Sequence, residues 1–373
     1  MKEGWEYRKL GDLCQVLDSQ RKPVTKKDRT KGIYPYYGAT GIQDYVDSYI
    51  FDGRFLLVGE DGAKWGASDK TAYIIEGKSW VNNHAHILKV LENVNDRLLE
   101  YYLTFKDLSE YITGAVVPKL TQKALVSIPI PIPPLSEQQH IVEELDLLSS
   151  IIEKKKAQLN ELDNMAQSLF YEMFGDPINN EKGWKEKRLD EVCDVRDGTH
   201  DSPKYVIESD YVLITSKNIQ DGELSFNNVN YITKEDYDKI NVRSYVDDGD
   251  IIMAMIGTIG KPIIIKKCGK NFGIKNVALL KFRESHDVIN VYVKSMLDNP
   301  TYMKYLHSLN RGGTQKFISL KTIRNLPILL PPLYLQNQFV SKIEAIEHQK
   351  ELIKQSIKEV ETLFNSRMDY YFN

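Results

Sequence analysis

The sequence predicts an α+β fold in which two similar mixed α/β domains are joined by two long helices. We expect the helices to form an antiparallel coiled coil with pseudo-two-fold symmetry. Three observations predict this: an internal duplication, short β-branched segments bounded by turns, and two long segments with regular apolar spacing. Of the 373 residues, 42% are hydrophobic and 27% are charged, which is typical of a globular protein rather than a disordered one.

The second half of the chain repeats the first. GWEYRKLGDLC at 4–14 matches GWKEKRLDEVC at 183–193, and IPIPIPPLSEQ at 128–138 matches LPILLPPLYLQ at 326–336. The offset between matching positions changes from 179 to 198 residues, so the halves differ by insertions in loops. Because this period is too long for a solenoid, we infer a duplicated domain.

Each half has the same order of predicted elements. Runs such as 48–58 and 249–257 are typical of strands bounded by turns. Segments 95–112 and 287–309 are predicted helices, the second interrupted at Pro300. A strand punctuated by prolines follows, and its missing N–H groups restrict it to a sheet edge.

A long helix is predicted to end each half. The domains are expected at 1–135 and 176–333, and the helices at 136–175 and 334–373. Apolar residues in both helices alternate at intervals of four and three, the spacing of a coiled-coil seam. The seam residues are Leu145, Leu148, Ile152, Leu159, Leu162, Ile346, Ile353, Ile357 and Val360. Two amphipathic helices that each pack on their own domain are the alternative.

The connectivity predicts the direction of pairing. Parallel helices would require the second domain to return the chain by about 60 Å, because a helix advances about 1.5 Å per residue. Antiparallel helices remove that requirement and allow one domain at each end.

Composition excludes several classes of protein. With 49 basic and 52 acidic residues, no strong overall field attracts a polyanion, so nucleic-acid binding would depend on local patches. Three cysteines are too few for a disulfide framework and lack metal-ligand spacing. The first ten residues lack the apolar core of a signal peptide, and no apolar run approaches the roughly 18 residues of a membrane span. We therefore expect a cytoplasmic protein without membrane contact.

Basic, glycine-punctuated loops are the candidate DNA-binding surfaces. They lie at 20–32, followed by the aromatic IYPYYG, and at 198–205, 215–219 and 309–318. Arg, Lys, Asn and Gln hold phosphates and read base edges, although such loops are often only solvated. The candidate DNA-binding residues are Arg21, Lys22, Lys26, Lys27, Arg29, Tyr36, Tyr37, Lys64, Lys119, His200, Lys204, Lys217, Asn218, Lys261, Arg311, Gln315 and Lys316.

An ordered set of motifs covers essentially the whole chain. It consists of W-x4-L-x3-C at 5–14 and 184–193, YPYYGATGI at 34–42, LLVGEDGA at 56–63, VNNHAHIL at 81–88, IPIPIPPLSEQQ at 128–139, GTHDSP at 198–203, TSKNI at 215–219, GDIIMAMIGTIGK at 249–261 and LPILLPPLYLQ at 326–336. With these motifs the chain resembles the specificity subunits of type I restriction–modification systems. It departs mildly where Tyr334-Leu335 replace the usual small and acidic pair, and in its shorter second helix.

This resemblance implies a function. Two target-recognition domains would each read one half of a split site in double-stranded DNA. The helices would space the halves and dock two methyltransferase subunits, and restriction subunits would complete the complex.

Catalytic motifs are missing from the sequence. It contains neither the N-P-P motif with an aromatic residue of an amino-methyltransferase nor the G-x4-GK[ST] of a nucleotide-driven motor. Glu60, Asp61 and Lys64 could form a nuclease cluster, but a structural turn is the preferred interpretation. His84 and His86 would face opposite sides of an extended strand, and one of them is interpreted as a core or interface histidine rather than a metal ligand. We therefore expect a non-catalytic subunit without cofactor or metal. The alternatives are a self-sufficient DNA-modifying enzyme and a protein-binding adaptor.

Overall fold

The computed structural model describes residues 2, 4–220, 222–257, 259–266, 269–309 and 317–373. The chain forms two compact units. Unit 1 contains residues 1–156 and 355–373, and unit 2 contains residues 157–354. Each unit therefore combines one predicted domain with part of each long helix. None of the described helices has both the length and the apolar character needed to cross a bilayer.

Unit 1 is built on a mixed six-stranded sheet. The strands of unit 1, in this sheet and outside it, are β1 Glu6–Lys9, β2 Cys14–Val16, β3 Lys31–Gly38, β4 Gly41–Val46, β5 Phe51–Gly59, β6 Ala72–Val81, β7 Ala85–Val90, β8 Ile112–Thr113, β9 Lys119–Leu120 and β10 Pro129–Ile132. Its helices are α1 Asp96–Phe105, α2 Gln122–Ser127, the first part of α3 Leu135–Phe174 and the last part of α9 Leu333–Phe372. The sheet order is β2-β7-β5-β6-β3-β4, and β3 and β6 are its parallel pair.

The central strand β5 is buried on both faces. Leu56 and Val58 face one apolar cluster, which contains Trp5, whereas Phe55 and Leu57 face another. This alternation follows from the two-residue period of a strand. The strand therefore fixes the position of the residues that follow its end.

Unit 2 contains the second copy of this architecture. Its strands are β11 Lys185–Arg188, β12 Asp194–Asp197, β13 Tyr211–Ile214, β14 Ile219–Gln220, β15 Glu223–Leu224, β16 Asn230–Tyr231, β17 Ile251–Ala254, β18 Gly260–Ile264, β19 Asn271–Ile274, β20 Val277–Lys281 and β21 Pro327–Leu330. Its helices are the last part of α3, α4 Leu189–Val192, α5 Lys234–Ser244, α6 Asn290–Leu297, α7 Pro300–Ser308, α8 Leu320–Arg324 and the first part of α9 Leu333–Phe372.

The strand pairings confirm the predicted duplication. The order β2-β7-β5-β6 in unit 1 reappears as β12-β20-β17-β18 in unit 2. Unit 2 divides the long strand β6 in two: β18 pairs with β17, and β19 pairs in parallel with β13, as β6 does with β3. The halves therefore share one core and differ by insertions, as the changing sequence offset predicts.

The proline-punctuated strands occupy edge positions, as predicted. Within the described residues, β10 pairs only with β1 and β21 pairs only with β11, each as an antiparallel ribbon. In the repeated W-x4-L-x3-C motif, Trp5, Cys14 and Cys193 are buried, whereas Trp184 is half-buried. Burial raises the pKa of both cysteine thiols to about 12.

The predicted helix at 95–112 is wrong in its length. Helix α1 ends at Phe105, and the Asp107 carboxylate then accepts the backbone N–H of Ser109. Such a local side-chain bond competes with helical hydrogen bonding. The prediction for 287–309 is confirmed, because Pro300 opens α7 after the Asn299 cap.

The long helices pair in opposite directions inside each unit. In unit 1, Glu144 of α3 bonds to Arg367 of α9, and Lys156 lies 2.9 Å from Glu361. As the α3 number rises, the α9 number falls, which defines an antiparallel pair. Unit 2 follows the same rule, with Asp163 paired to Lys350 at 2.7 Å and the Phe170 ring on Phe339.

The predicted seam residues all face inward. Leu145, Leu148, Ile346 and Ile357 are buried, and the other five are half-buried. Some seam residues also pack on the domain cores, for example Leu145 in unit 1 and Ile346 in unit 2. The helix-to-helix seam and the alternative of packing on each domain therefore coexist.

Replacement of Phe339 by Ala should destabilise unit 2. The Phe339 ring is fully buried and contacts the rings of Phe170 and Phe174. We expect a loss of about 3–5 kcal/mol in the free energy of unfolding. Denaturant unfolding followed by hydrogen exchange, which resolves the two units, measures this loss. Leu352→Ala, at an exposed site on the same helix, should change the value by less than about 0.5 kcal/mol. Equal effects of the two substitutions would contradict this packing.

Candidate nucleic-acid interface

Three segments of unit 1 meet at the carboxyl end of β5. The backbone N–H of Glu60 donates to His84, and its carbonyl accepts from Leu120. The Glu60 side chain is 9% exposed and accepts hydrogen bonds from Arg21 and Lys119. One carboxylate therefore joins the start of the basic loop 20–32 to the β8–β9 hairpin.

A second buried carboxylate extends this network. Asp18 accepts from the His86 ring and from the backbone N–H of Ile87. The other ring nitrogen of His86 lies 2.7 Å from the carbonyl of Leu120. Both ring nitrogens of this buried histidine thus face acceptors, as the preferred interpretation of a core histidine requires.

The pKa values of both carboxyl groups lie below their usual range. Burial alone would raise the pKa of Glu60, but hydrogen bonds from Lys119 and Arg21 outweigh it. Burial would likewise raise the pKa of Asp18, but the hydrogen bond from His86 and the contacts beside it outweigh burial, so the pKa is lowered. Both groups are therefore ionised at neutral pH.

Asp18, Glu60 and His86 also lie close enough together to ligate a metal ion. However, the positive charge at this point is already supplied by Arg21 and Lys119. Asp61, the neighbour of Glu60, bonds to His84 instead. Of the residues considered for a nuclease cluster, Glu60 and Asp61 are therefore held by internal partners, whereas Lys64 is exposed.

The structure separates the basic loop into exposed and internal residues. Lys22, Lys26 and Lys27 are exposed and form no ion pair within the described part of the chain. Arg29 is instead half-buried, bonds to Asp44 and lies 4.1 Å from the ring centre of Tyr36. The three lysines are thus free to meet phosphates.

Three predicted DNA contacts in unit 1 need correction. Arg21 is held by Glu60, Arg29 is held by Asp44, and the Tyr36 ring is 1% exposed. These three side chains bond or pack inside the unit and hold the loop in its conformation. Of the other candidates, Tyr37 is half-buried against Tyr73, Lys119 pairs with Glu60, and Lys64 is exposed.

Unit 2 keeps the second carboxylate of the network and changes its partners. Asp197 stands at the position of Asp18 and is also buried. It accepts from His200 at 2.9 Å and from Arg243. Hydrogen bonds to Asn276 and Asp197 raise the pKa of the exposed His200. The strand pairings place Met255 where unit 1 has Glu60, and Ala278 where it has His86.

The remaining candidates of unit 2 also include both exposed and buried residues. Lys204, Lys217 and Lys261 are exposed. Asn218 is buried and bonds to Thr215, so its predicted DNA contact is corrected to a turn-holding role. Arg311, Gln315 and Lys316 lie outside the described residues.

Sequence reasoning missed the β8–β9 hairpin, because the predicted helix extended to residue 112. Gly114 and Pro118 were the available turn signals. It also missed Asn276 and Arg243, which hold His200 and Asp197. No local pattern identifies them, because their partners are distant in the sequence.

The family model described as the type I restriction modification DNA specificity domain matches residues 2–164 and 181–362. The chain belongs to this family. The two matched segments correspond to the two copies of the duplicated domain, so the family assignment covers both.

Relatives and solved structures agree with this assignment. A Haemophilus influenzae protein named as a type I restriction enzyme specificity subunit is 28% identical over 98% of this chain and 94% of its own length. The MjaVIII specificity subunit of Methanocaldococcus jannaschii is 22% identical over 96% and 90%. The crystal structure of a type I restriction-modification S subunit from M. genitalium has a TM-score of 0.56 at 12% identity, over 98% of this chain and 95% of its own. It is similar to this chain in fold.

The stability contributed by Glu60 should depend on pH. Its pKa is lower in the folded chain, so its ionised form stabilises unit 1 above the unfolded value of about 4.3. That contribution is lost as the pH falls through the lower folded value. The difference in the free energy of unfolding between wild type and Glu60→Gln should therefore shrink in acid. Denaturant unfolding from about pH 7 to about pH 3 measures it.

Glu76→Gln is the matched control, because Glu76 is largely exposed on the same sheet. Its difference from wild type should stay small at every pH. A Glu60→Gln difference that is independent of pH would contradict the ionic role of this carboxylate.

Proposed function

We propose that this chain is the DNA-recognition subunit of a type I restriction–modification complex. Each copy of the duplicated domain reads one half of a split site in double-stranded DNA. The observation that carries this proposal is the match of one DNA specificity family to both copies. The relatives named as specificity subunits, aligned over nearly the full chain, support it.

The subunit itself is proposed to be non-catalytic. Its most chemically suggestive cluster, around Glu60, is occupied by internal ion pairs. Two methyltransferase subunits would dock on the long helices and supply the chemistry, and restriction subunits would complete the complex. A cytoplasmic location follows from its proposed DNA target.

Exposed lysines are proposed to carry the phosphate contacts. Lys22, Lys26 and Lys27 serve unit 1, and Lys204 and Lys217 serve unit 2. Contacts of this kind position a protein on DNA without reading sequence. The base contacts must therefore come from other side chains.

Replacement of Lys22, Lys26 and Lys27 together by Ala should weaken binding of every duplex. Each lost phosphate contact reduces the slope of log K against log salt by about 0.9, so three reduce it by about 2.7. Binding of the assembled complex to duplex at about 50 to 200 mM KCl measures the slope. Lys89→Ala, another exposed lysine of unit 1, should leave it unchanged. An unaltered slope in the triple variant would place the phosphate contacts elsewhere.

The helices are proposed to set the distance between the half-sites. Deletion of 153–159 from α3 and 354–360 from α9 removes one heptad from opposed segments and keeps the seam in phase. Each helix becomes about 10 Å shorter, which corresponds to about 3 bp of B-DNA. We expect the methylated motif to keep both half-sites with a shorter spacer, as mapped by methylation sequencing.

Deletion of the heptad from α3 alone is the control, because it leaves the helices unequal and should impair assembly. A double-deletion complex that assembles and retains the original spacer would show that the helices do not set this distance.

A further inference from the structure

The β8–β9 hairpin, Ile112–Leu120, ends in two exposed apolar side chains. Val116 is 93% exposed and Val117 is 62% exposed. We call these two residues the tip. Neither belongs to an apolar cluster of the described chain, so these side chains are not part of the core that stabilises unit 1.

The base of this hairpin is firmly held. The Lys119 ammonium lies 2.7 Å from the Glu60 carboxylate. Leu120 bonds through its N–H to Glu60 and through its carbonyl to His86. The backbone of Lys119 also bridges to that of Asp61. The base of the hairpin that carries the tip is therefore fixed to the end of β5.

The turn that carries the tip requires a glycine. Gly114 has φ +95°, and a Cβ there would lie 2.3 Å from the carbonyl oxygen of Val117. Valine adds its own stiffness, because its β-branch restricts χ1. The exposed methyl groups are thus presented in a defined position, which lowers the entropy lost when they bind.

The same carboxylate that holds the hairpin also holds the basic loop. Arg21 bonds to Glu60 and to the carbonyl of Ala85, so the loop with Lys22, Lys26 and Lys27 starts at the same end of the sheet. An apolar tip and a loop of exposed cations that start from the same end of the sheet match duplex DNA, in which phosphates surround the bases. A stable protein interface needs about 800 Å² from each partner, far more than two valines present.

Valine side chains neither donate nor accept hydrogen bonds, so they cannot read the polar pattern of a base pair. The apolar group exposed in the major groove is the C5-methyl of thymine. We propose that Val116 and Val117 are specificity-determining residues that pack on thymine methyl groups in the half-site read by unit 1. This inference rests on the proposed function and adds the base contact that the lysines cannot supply.

The first test maps methylation in a host that carries the complete modification complex and no other. Wild type should produce one split motif. In the variant with Val116→Ser and Val117→Ser, A·T positions in one half-site should become degenerate. The other half-site and the spacer should not change. Because the tip is exposed, the thermal unfolding of this variant should match that of wild type.

Leu91→Ser is the matched control. Leu91 is 44% exposed and lies beyond the far end of β7, about 20 Å from the hairpin base at about 3.3 Å per residue. Its motif should equal that of wild type.

The second test uses the purified complex and the wild-type duplex with uracil in place of each half-site thymine. This substitution removes only the C5-methyl. Wild-type binding should fall about four-fold for each contacted methyl, whereas the tip variant should show no further loss.

Each contrary result overturns a specific statement. An unchanged motif in the tip variant would show that the tip does not read bases. Relaxation at G·C positions, or binding insensitive to uracil, would refute the contact with thymine methyl. Lost methylation with unchanged DNA affinity would assign the tip to a methyltransferase subunit. Absence of any split motif in wild type would overturn the proposed function itself, and this inference with it.

Discussion

The arrangement of loops in unit 1 depends on the buried carboxylate of Glu60. A charge removed from water must be compensated by partners with good geometry, and removal of one partner leaves an uncompensated charge. Glu60 obtains its partners from two separate segments, through Arg21 and Lys119. This carboxylate therefore ties the basic loop and the hairpin to the same end of β5.

The second unit shows what remains when that constraint is removed. Met255 occupies the place of Glu60 and needs no ionic partner. Asp197 remains buried, but its partners are now His200 and Arg243. The duplicated cores thus keep the same strand order while the network at one end has diverged. Two domains of common origin can in this way present different surfaces to different half-sites.

The sequence predicted those features that are repeated or periodic. The duplication, the edge strands and the 4-3 seam are all visible in residue spacing, and the structure confirms them. The loops were less predictable because composition does not reveal which side chains turn inward. Arg21 and Lys22 are neighbours of similar charge, yet only Arg21 pairs with carboxylates, one at Asp18 and one at Glu60, 39 residues away. After the early end of α1, Ser109 bonds to the Asp107 carboxylate and Leu108 to the carbonyl of Trp65, and apolar periodicity detects neither bond.

Unit 1 consists of two separate chain segments, and this determines when it can be completed during synthesis. Unit 2 is one continuous segment, 157–354, whereas unit 1 needs both 1–156 and 355–373. Ile141 and Leu145 share their apolar cluster with Met368, Tyr371 and Phe372 near the carboxyl end. The ribosome therefore synthesises all of unit 2 before the last segment that unit 1 requires. The half that is translated first is the half that is completed last.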